Sequence, residues 1–214
     1  MKITIVYDNE SYGRGLQADW GFSCLVEVEG TPKILFDTGA NGEILLANME
    51  RLHIDPQDIG EVFISHGHFD HIGGLSALLK ENSDVRLYVP DSVVGAVYGA
   101  REITGVKESL QIHEHVFSTG ELDHIEQCLA VKTEQGVVVI VGCSHPTMTH
   151  ILEATSQFGT VYAIIGGLHG FKQFALFENL GLICPSHCTQ HKQQIKALYP
   201  DHYTDGGVGR TIRI

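Results

Sequence analysis

Apolar residues fall into short runs set apart by polar and glycine-rich turns, and two periods alternate along the chain. Met1-Lys2-Ile3-Thr4-Ile5-Val6 alternates as a strand does and stops at the polar Tyr7-Asp8-Asn9. Gly21 to Glu29 reads as a second strand and Lys33-Ile34-Leu35-Phe36 as a third. Gly30-Thr31-Pro32 supplies the turn, so the two predict a hairpin. Asn41 to Arg51 then changes to a helical period, with Ile44, Leu45 and Met49 on one face. Val62-Phe63-Ile64 has the character of a buried strand, and Leu75, Leu78 and Leu79 predict a helix from near Ile72. Val85 to Val89 is a further strand. Between 90 and 110, Gly95, Gly99 and Gly105 weaken any helix, and the segment reads as a long surface connection, or else a lid.

The β pattern returns in Gln111 to Phe117, Gln127 to Thr133 and Val137 to Val141, the last two predicted as a hairpin around Glu134-Gln135-Gly136. Thr147 to Gln157 is helical in pattern, Thr160 to Ile165 and Ile183-Cys184 are strands, Thr189 to Leu198 a helix and Gly209 to Ile214 a last strand. Two successive blocks of strands followed by helices predict an α/β (α+β) sandwich built from two similar halves. With no linker or low-complexity stretch among 214 residues, one domain over 1–214 is expected.

Composition narrows the function. A net charge of −12 argues against nucleic acid, which needs clustered Lys and Arg. No apolar stretch is long enough for a membrane span, and the first strand pattern begins without a signal peptide before it. Five cysteines, an odd number set on apolar runs, do not form a disulfide framework, so a reducing cytoplasm is expected.

The chemistry concentrates in Ser65-His66-Gly67-His68-Phe69-Asp70-His71, followed by Ile72-Gly73-Gly74. Three imidazoles and a carboxylate sit on a strand-to-helix turn, where neighbouring side chains converge. This donor mixture suits zinc, one or two ions, with iron, manganese or magnesium as alternatives. A bound cation would make the site locally positive, so a small anionic substrate is compatible with the acidic chain.

His66-x-His68-x-Asp70-His71 after a strand resembles the signature of the metallo-β-lactamase superfamily, and Asp37-Thr38-Gly39 matches an early turn of that family. The resemblance implies a four-layer αββα sandwich with a metal site at one edge. It implies His66, His68 and His145 on one metal, and Asp70, His71 and His187 on a second, with Asp37 as a carboxylate supporting the metal loop. Cys143 is expected beside the ligands or in packing, not on the metal. Many members carry an Asp between the third and last histidines. This chain has none between Asp123 and Asp201, and His169, in Gly166-Gly167-Leu168-His169-Gly170, takes its approximate place.

Tyr7-Asp8-Asn9, Gly21-Phe22-Ser23, Gly142-Cys143-Ser144-His145 and Ser186-His187-Cys188-Thr189 are similar to the branch containing the dihydropterin–ribofuranosyl-aminobenzene phosphate synthase of methanopterin biosynthesis. That branch commonly has a His before Gly-Phe-Ser, where this chain has Trp20. The expected activity is therefore a metal-dependent hydrolase acting on a small substrate through metal-bound hydroxide, with Asp70 as base and His169 as acid. A synthase-like transferase is the alternative.

Overall fold

The computed structural model describes residues 1–214. Strands β1 (Lys2–Tyr7), β2 (Ser23–Glu27) and β3 (Lys33–Phe36) form an antiparallel meander with Cys24 opposite Phe36. Helix α1 (Gly42–Arg51) starts where the Asn41 side chain accepts from the N–H groups of Glu43 and Ile44. It returns the chain so that β4 (Ile59–Phe63) lies parallel to β3. The short α2 (Phe69–Ile72) and α3 (Leu75–Glu81), separated by Gly73-Gly74, lead to β5 (Arg86–Pro90), again parallel.

The segment expected to be a connection or lid is instead structured. A 3₁₀ turn over Asp91–Ala96 is followed by β6 (Glu102–Val106), parallel to β5 at the sheet edge. The glycine that argued against a helix, Gly105, is a strand residue lying against Val94 of that turn. A second difference falls in 111–117, where β7 (Leu110–His113) and β8 (Val116–Ser118) form a hairpin rather than one strand. The polar triplet His113-Glu114-His115 turns the chain there.

Strands β8, β9 (Leu129–Thr133) and β10 (Gly136–Val141) pair antiparallel. Helix α4 (Met148–Ser156) then crosses to β11 (Val161–Gly167), and β12 (Leu182–Ser186) follows, both parallel to β10. Helix α5 (Lys192–Leu198) packs outside, and β13 (Thr211–Arg213) closes the first sheet against β1. The result is a seven-stranded sheet, β13-β1-β2-β3-β4-β5-β6, over a six-stranded one, β12-β11-β10-β9-β8-β7.

Burial makes this four layers. Ile3, Phe36 and Phe63 of the first sheet meet Leu129, Ile140 and Ile165 of the second in a shared core. The outer face of the first sheet, with Leu35 and Val62, is covered by Leu45, Met49 and Leu78 of its helices. Val139 and Ile164 face Met148, Ile151 and Ile195 on the other side. Each sheet thus buries both faces, as parallel strands require. No helix is long and apolar enough to cross a membrane.

Candidate metal centre

In both halves the strands run first antiparallel, then parallel, so the carboxyl ends of β3, β4, β10, β11 and β12 open toward one edge. Loops leaving those ends are where α/β sheets assemble ligand sites. They deliver Asp37, the Ser65–His71 turn, Cys143 and His145, His169, and His187 respectively. Strand β1, antiparallel to β2, adds Asp8 and Asn9 at the same edge. Asp37, Ser144, His169 and His187 have φ of 53°, 58°, 44° and 49°. Left-handed backbone in non-glycine residues costs about 1–3 kcal/mol each, and it clusters at functional sites.

The structure brings all seven predicted side chains together. Donor atoms of His66, His68 and His145 lie within 4.8 Å of one another, as do those of Asp70, His71 and His187. His145 Nε2 is 3.2 Å from His66 Nε2. Two imidazole nitrogens on one tetrahedral zinc ion stand roughly 3.3 Å apart, so this separation fits a shared cation. In the second group His187 Nε2 is 3.2 Å and His71 Nε2 3.9 Å from Asp70 Oδ2. His187 Nε2 is buried and has no hydrogen-bond partner, which suits a nitrogen waiting for a cation.

His169 also faces the cleft. Its ring centroid lies 4.8 Å from that of His145, and its Nε2 is likewise buried without a partner.

Electrostatics favours ligation. Burial, then the neighbouring imidazoles of His71 and His145, holds His66 far below the usual histidine range. Burial and His187 do the same to His71. His145 is lowered to about 4 by burial, then His169 and His68. These rings are neutral near pH 7, with lone pairs free to bind metal. For Asp70, burial pushes upward, but the neighbouring imidazoles of His187 and His71 outweigh it and hold the carboxyl below its ordinary range.

Surrounding groups set the tautomers. Asp37 Oδ2 accepts from His71 Nδ1 at 2.7 Å, which turns the Nε2 lone pair into the site. Asp37 also accepts from Ser65 N and Oγ, and Ser65 Oγ contacts His66 Nδ1 at 2.9 Å. The role expected of Asp37 as a support is thus the one it occupies. Asn9 Oδ1 fixes His187 Nδ1 at 2.9 Å, and Trp20 Nε1 donates to Asp70 Oδ2 at 2.8 Å. Gly142 has no side chain because a Cβ there would strike Ser65 Oγ and crowd His66 Nδ1.

Sequence reasoning missed Glu126. Fully buried, it accepts from the N–H groups of Gly142, Cys143, Ser144 and His145, holding the whole loop that presents His145. A single Glu before a strand carries no periodic or motif signal; only the antiparallel pairing of β9 with β10 places it there. Asp8, part of the Tyr7-Asp8-Asn9 resemblance but given no role there, accepts from His187 N and Gly207 N. Cys143 takes the first of the two places expected for it, beside the ligands, with Sγ 3.1 Å from His71 Nε2. The signal was the two-residue spacing to His145.

Residues 21–162 match the family model described as the metallo-beta-lactamase superfamily. The chain is 26% identical to 7,8-dihydropterin-6-methyl-4-(beta-D-ribofuranosyl)-aminobenzene-5'-phosphate synthase of Methanocaldococcus jannaschii, over 89% of this chain and 88% of that protein. An uncharacterized protein of the same archaeon is 27% identical over 99% of this chain and 100% of its own length. Among solved structures, a metal-dependent hydrolase of the beta-lactamase superfamily superposes with a TM-score of 0.81 at 25% identity, covering 100% of this chain and 99% of that one.

Proposed function

The chain belongs to the metallo-β-lactamase superfamily, and from that premise we propose that it is a metal-dependent hydrolase of a small, anionic substrate. The observation that carries the reading is the pair of three-residue donor sets facing one cleft, one of them half open to solvent. Zinc is the cation we assign, held by His66, His68 and His145, with Asp70, His71 and His187 for a second ion. A cation there supplies Lewis acidity and makes water acidic enough to attack at neutral pH.

The protein's own groups do the rest. Asp70, held ionised by the neighbouring imidazoles of His187 and His71 and oriented by Trp20 Nε1, accepts the proton of the attacking water. His169, kept neutral by burial and the nearby His187, offers Nε2 as a hydrogen-bonding group to the leaving oxygen. Beside them a cavity of about 320 Å³ is lined by Ser144, Thr147, His169, Phe171 and Lys172 among others. Lys172 is its one fixed positive charge, which supports an anionic substrate.

A second reading is supported by the methanogen relative, which is named a synthase. In that case the same cleft joins a pterin to an aminobenzene without net hydrolysis.

The test is elemental analysis of protein purified without added metal, followed by assay against phosphodiester, thioester and lactone panels and against paired pterin and aminobenzene substrates. We expect bound zinc and metal-dependent hydrolysis of one panel class. His169→Ala should cut that turnover by about 100-fold or more, in the range of a lost acid–base group, with first-set metal content unchanged. A coupled product without hydrolysis selects the synthase reading, and a metal-free active enzyme removes both.

A further inference from the structure

The floor of the cleft carries two sulfurs. Cys143, after β10, is 2% exposed and Cys188, after β12, is 8% exposed. Their Sγ atoms are 3.4 Å apart. Cys143 Sγ groups within 4.8 Å with donor atoms of His66 and His71, again with those of His145 and His169, and again with those of His187 and Cys188. One sulfur therefore reaches members of both donor sets. Asp70 is already a member of the second set, Glu126 is committed to four backbone N–H groups, and no Asp lies between 123 and 201, so no further carboxylate is placed to join the two sets. The His187 side chain, 0% exposed, brings its unpartnered Nε2 to the same place.

We propose that, in the metal-loaded protein, the Cys143 thiolate is a ligand shared between the two cations. This rests on the metal-site reading above and deepens it. A thiolate has one negative charge and several lone pairs, so one sulfur can hold two divalent ions; a neutral imidazole such as His169 cannot. With zinc–sulfur bonds near 2.3 Å and zinc–nitrogen bonds near 2.05 Å, sulfur and imidazole on one tetrahedral ion stand roughly 3.6 Å apart. The observed 3.1 Å from Cys143 Sγ to His71 Nε2 is within a small side-chain adjustment of that. On loading, the S–H bond breaks, its proton passes to solvent, and sulfur–metal bonds form with no change in oxidation state. Cys188 remains a thiol beside the shared sulfur. A sulfur at the centre favours zinc, cobalt or cadmium over magnesium or manganese.

The experiment loads metal-free protein with Co²⁺ and Cd²⁺ and records stoichiometry together with thiolate-to-metal charge-transfer absorption. Wild type, Cys143→Ser and Cys188→Ser are compared, with circular dichroism as the check on folding. Wild type should bind two equivalents and show the band. Cys143→Ser should lose the band, retain the first equivalent, and bind the second more than about 100-fold more weakly, beyond the loss expected for a mere supporting contact. Cys188→Ser should keep the band. X-ray absorption of zinc-loaded wild type needs no variant, and should show a sulfur neighbour near 2.3 Å, as zinc–thiolate bonds have. Two equivalents bound in a shell of nitrogen and oxygen alone would overturn the shared thiolate while leaving the metal site standing. A band that survives in Cys143→Ser, or that saturates at one equivalent in wild type, also overturns it. Failure to bind any cation would overturn the metal reading itself.

Discussion

The two donor sets share an edge but are held in opposite ways. In the second set every side chain is anchored by another: Asp70 by Trp20, His71 by Asp37, His187 by Asn9. All three residues are buried. In the first set only His66 is buried and has an orienting neighbour, Ser65. His68 is exposed and His145 half-buried, and His145 is placed through its backbone by Glu126. A network of side chains rigidifies position, whereas a backbone anchor leaves the ring free to turn. The second set is thus a preorganised cage, and the first is the more adjustable, solvent-facing side.

The comparison breaks most severely at Glu126. Glu126→Ala leaves the N–H groups of Gly142, Cys143, Ser144 and His145 without their acceptor in a buried loop. At about 1–3 kcal/mol for each unsatisfied group, with water re-entering part of the space, a loss of about 3–5 kcal/mol is expected. Denaturant unfolding of the metal-free protein checks it. A loss below 1 kcal/mol would mean that the first set is not held by its backbone.

A smaller effect is expected from Asp37→Asn, which keeps shape but weakens the hold on His71 Nδ1 and on Ser65. Second-set affinity should fall by something like 10- to 100-fold while the first set is nearly unaffected. Metal competition titration would show this, and equal losses at both sets would erase the distinction between them.

The smallest effect is on acid stability. His145 is lowered to about 4 in the folded protein, against about 6.5 when unfolded. Between those values the unfolded chain binds the extra proton, so this contribution is complete above pH 6.5 and is lost as pH falls toward 4. Asp37 and Glu126, pushed up by burial, act in the opposite sense. The clean measurement is therefore a difference: metal-free wild type should lose more stability between pH 7 and pH 5 than His145→Ala does. Parallel pH profiles for the two proteins would exclude a depressed His145.

By itself the sequence determined the two strand-rich halves, the hairpin of β2 and β3, the helix over Asn41 to Arg51, and the turn carrying His66 to His71. These are local matters: period, turn residues and spacing act within a dozen positions and leave their mark there. It also pointed to His145, His169 and His187, through the resemblance to the superfamily and the place of each after an apolar run. Only the tertiary structure decided that Glu126 holds the His145 loop, that Asn9 and Asp8 hold His187, and that Cys143 lies between the two donor sets. Those contacts join β1 to β12 and the start of β9 to the end of β10, through hydrogen bonds between residues as much as 179 positions apart. Residues 91 to 106 were misread for the same reason. The strand β6 is amphipathic only in relation to β5 and the 3₁₀ turn beside it, and pairing of that kind leaves no period in the chain.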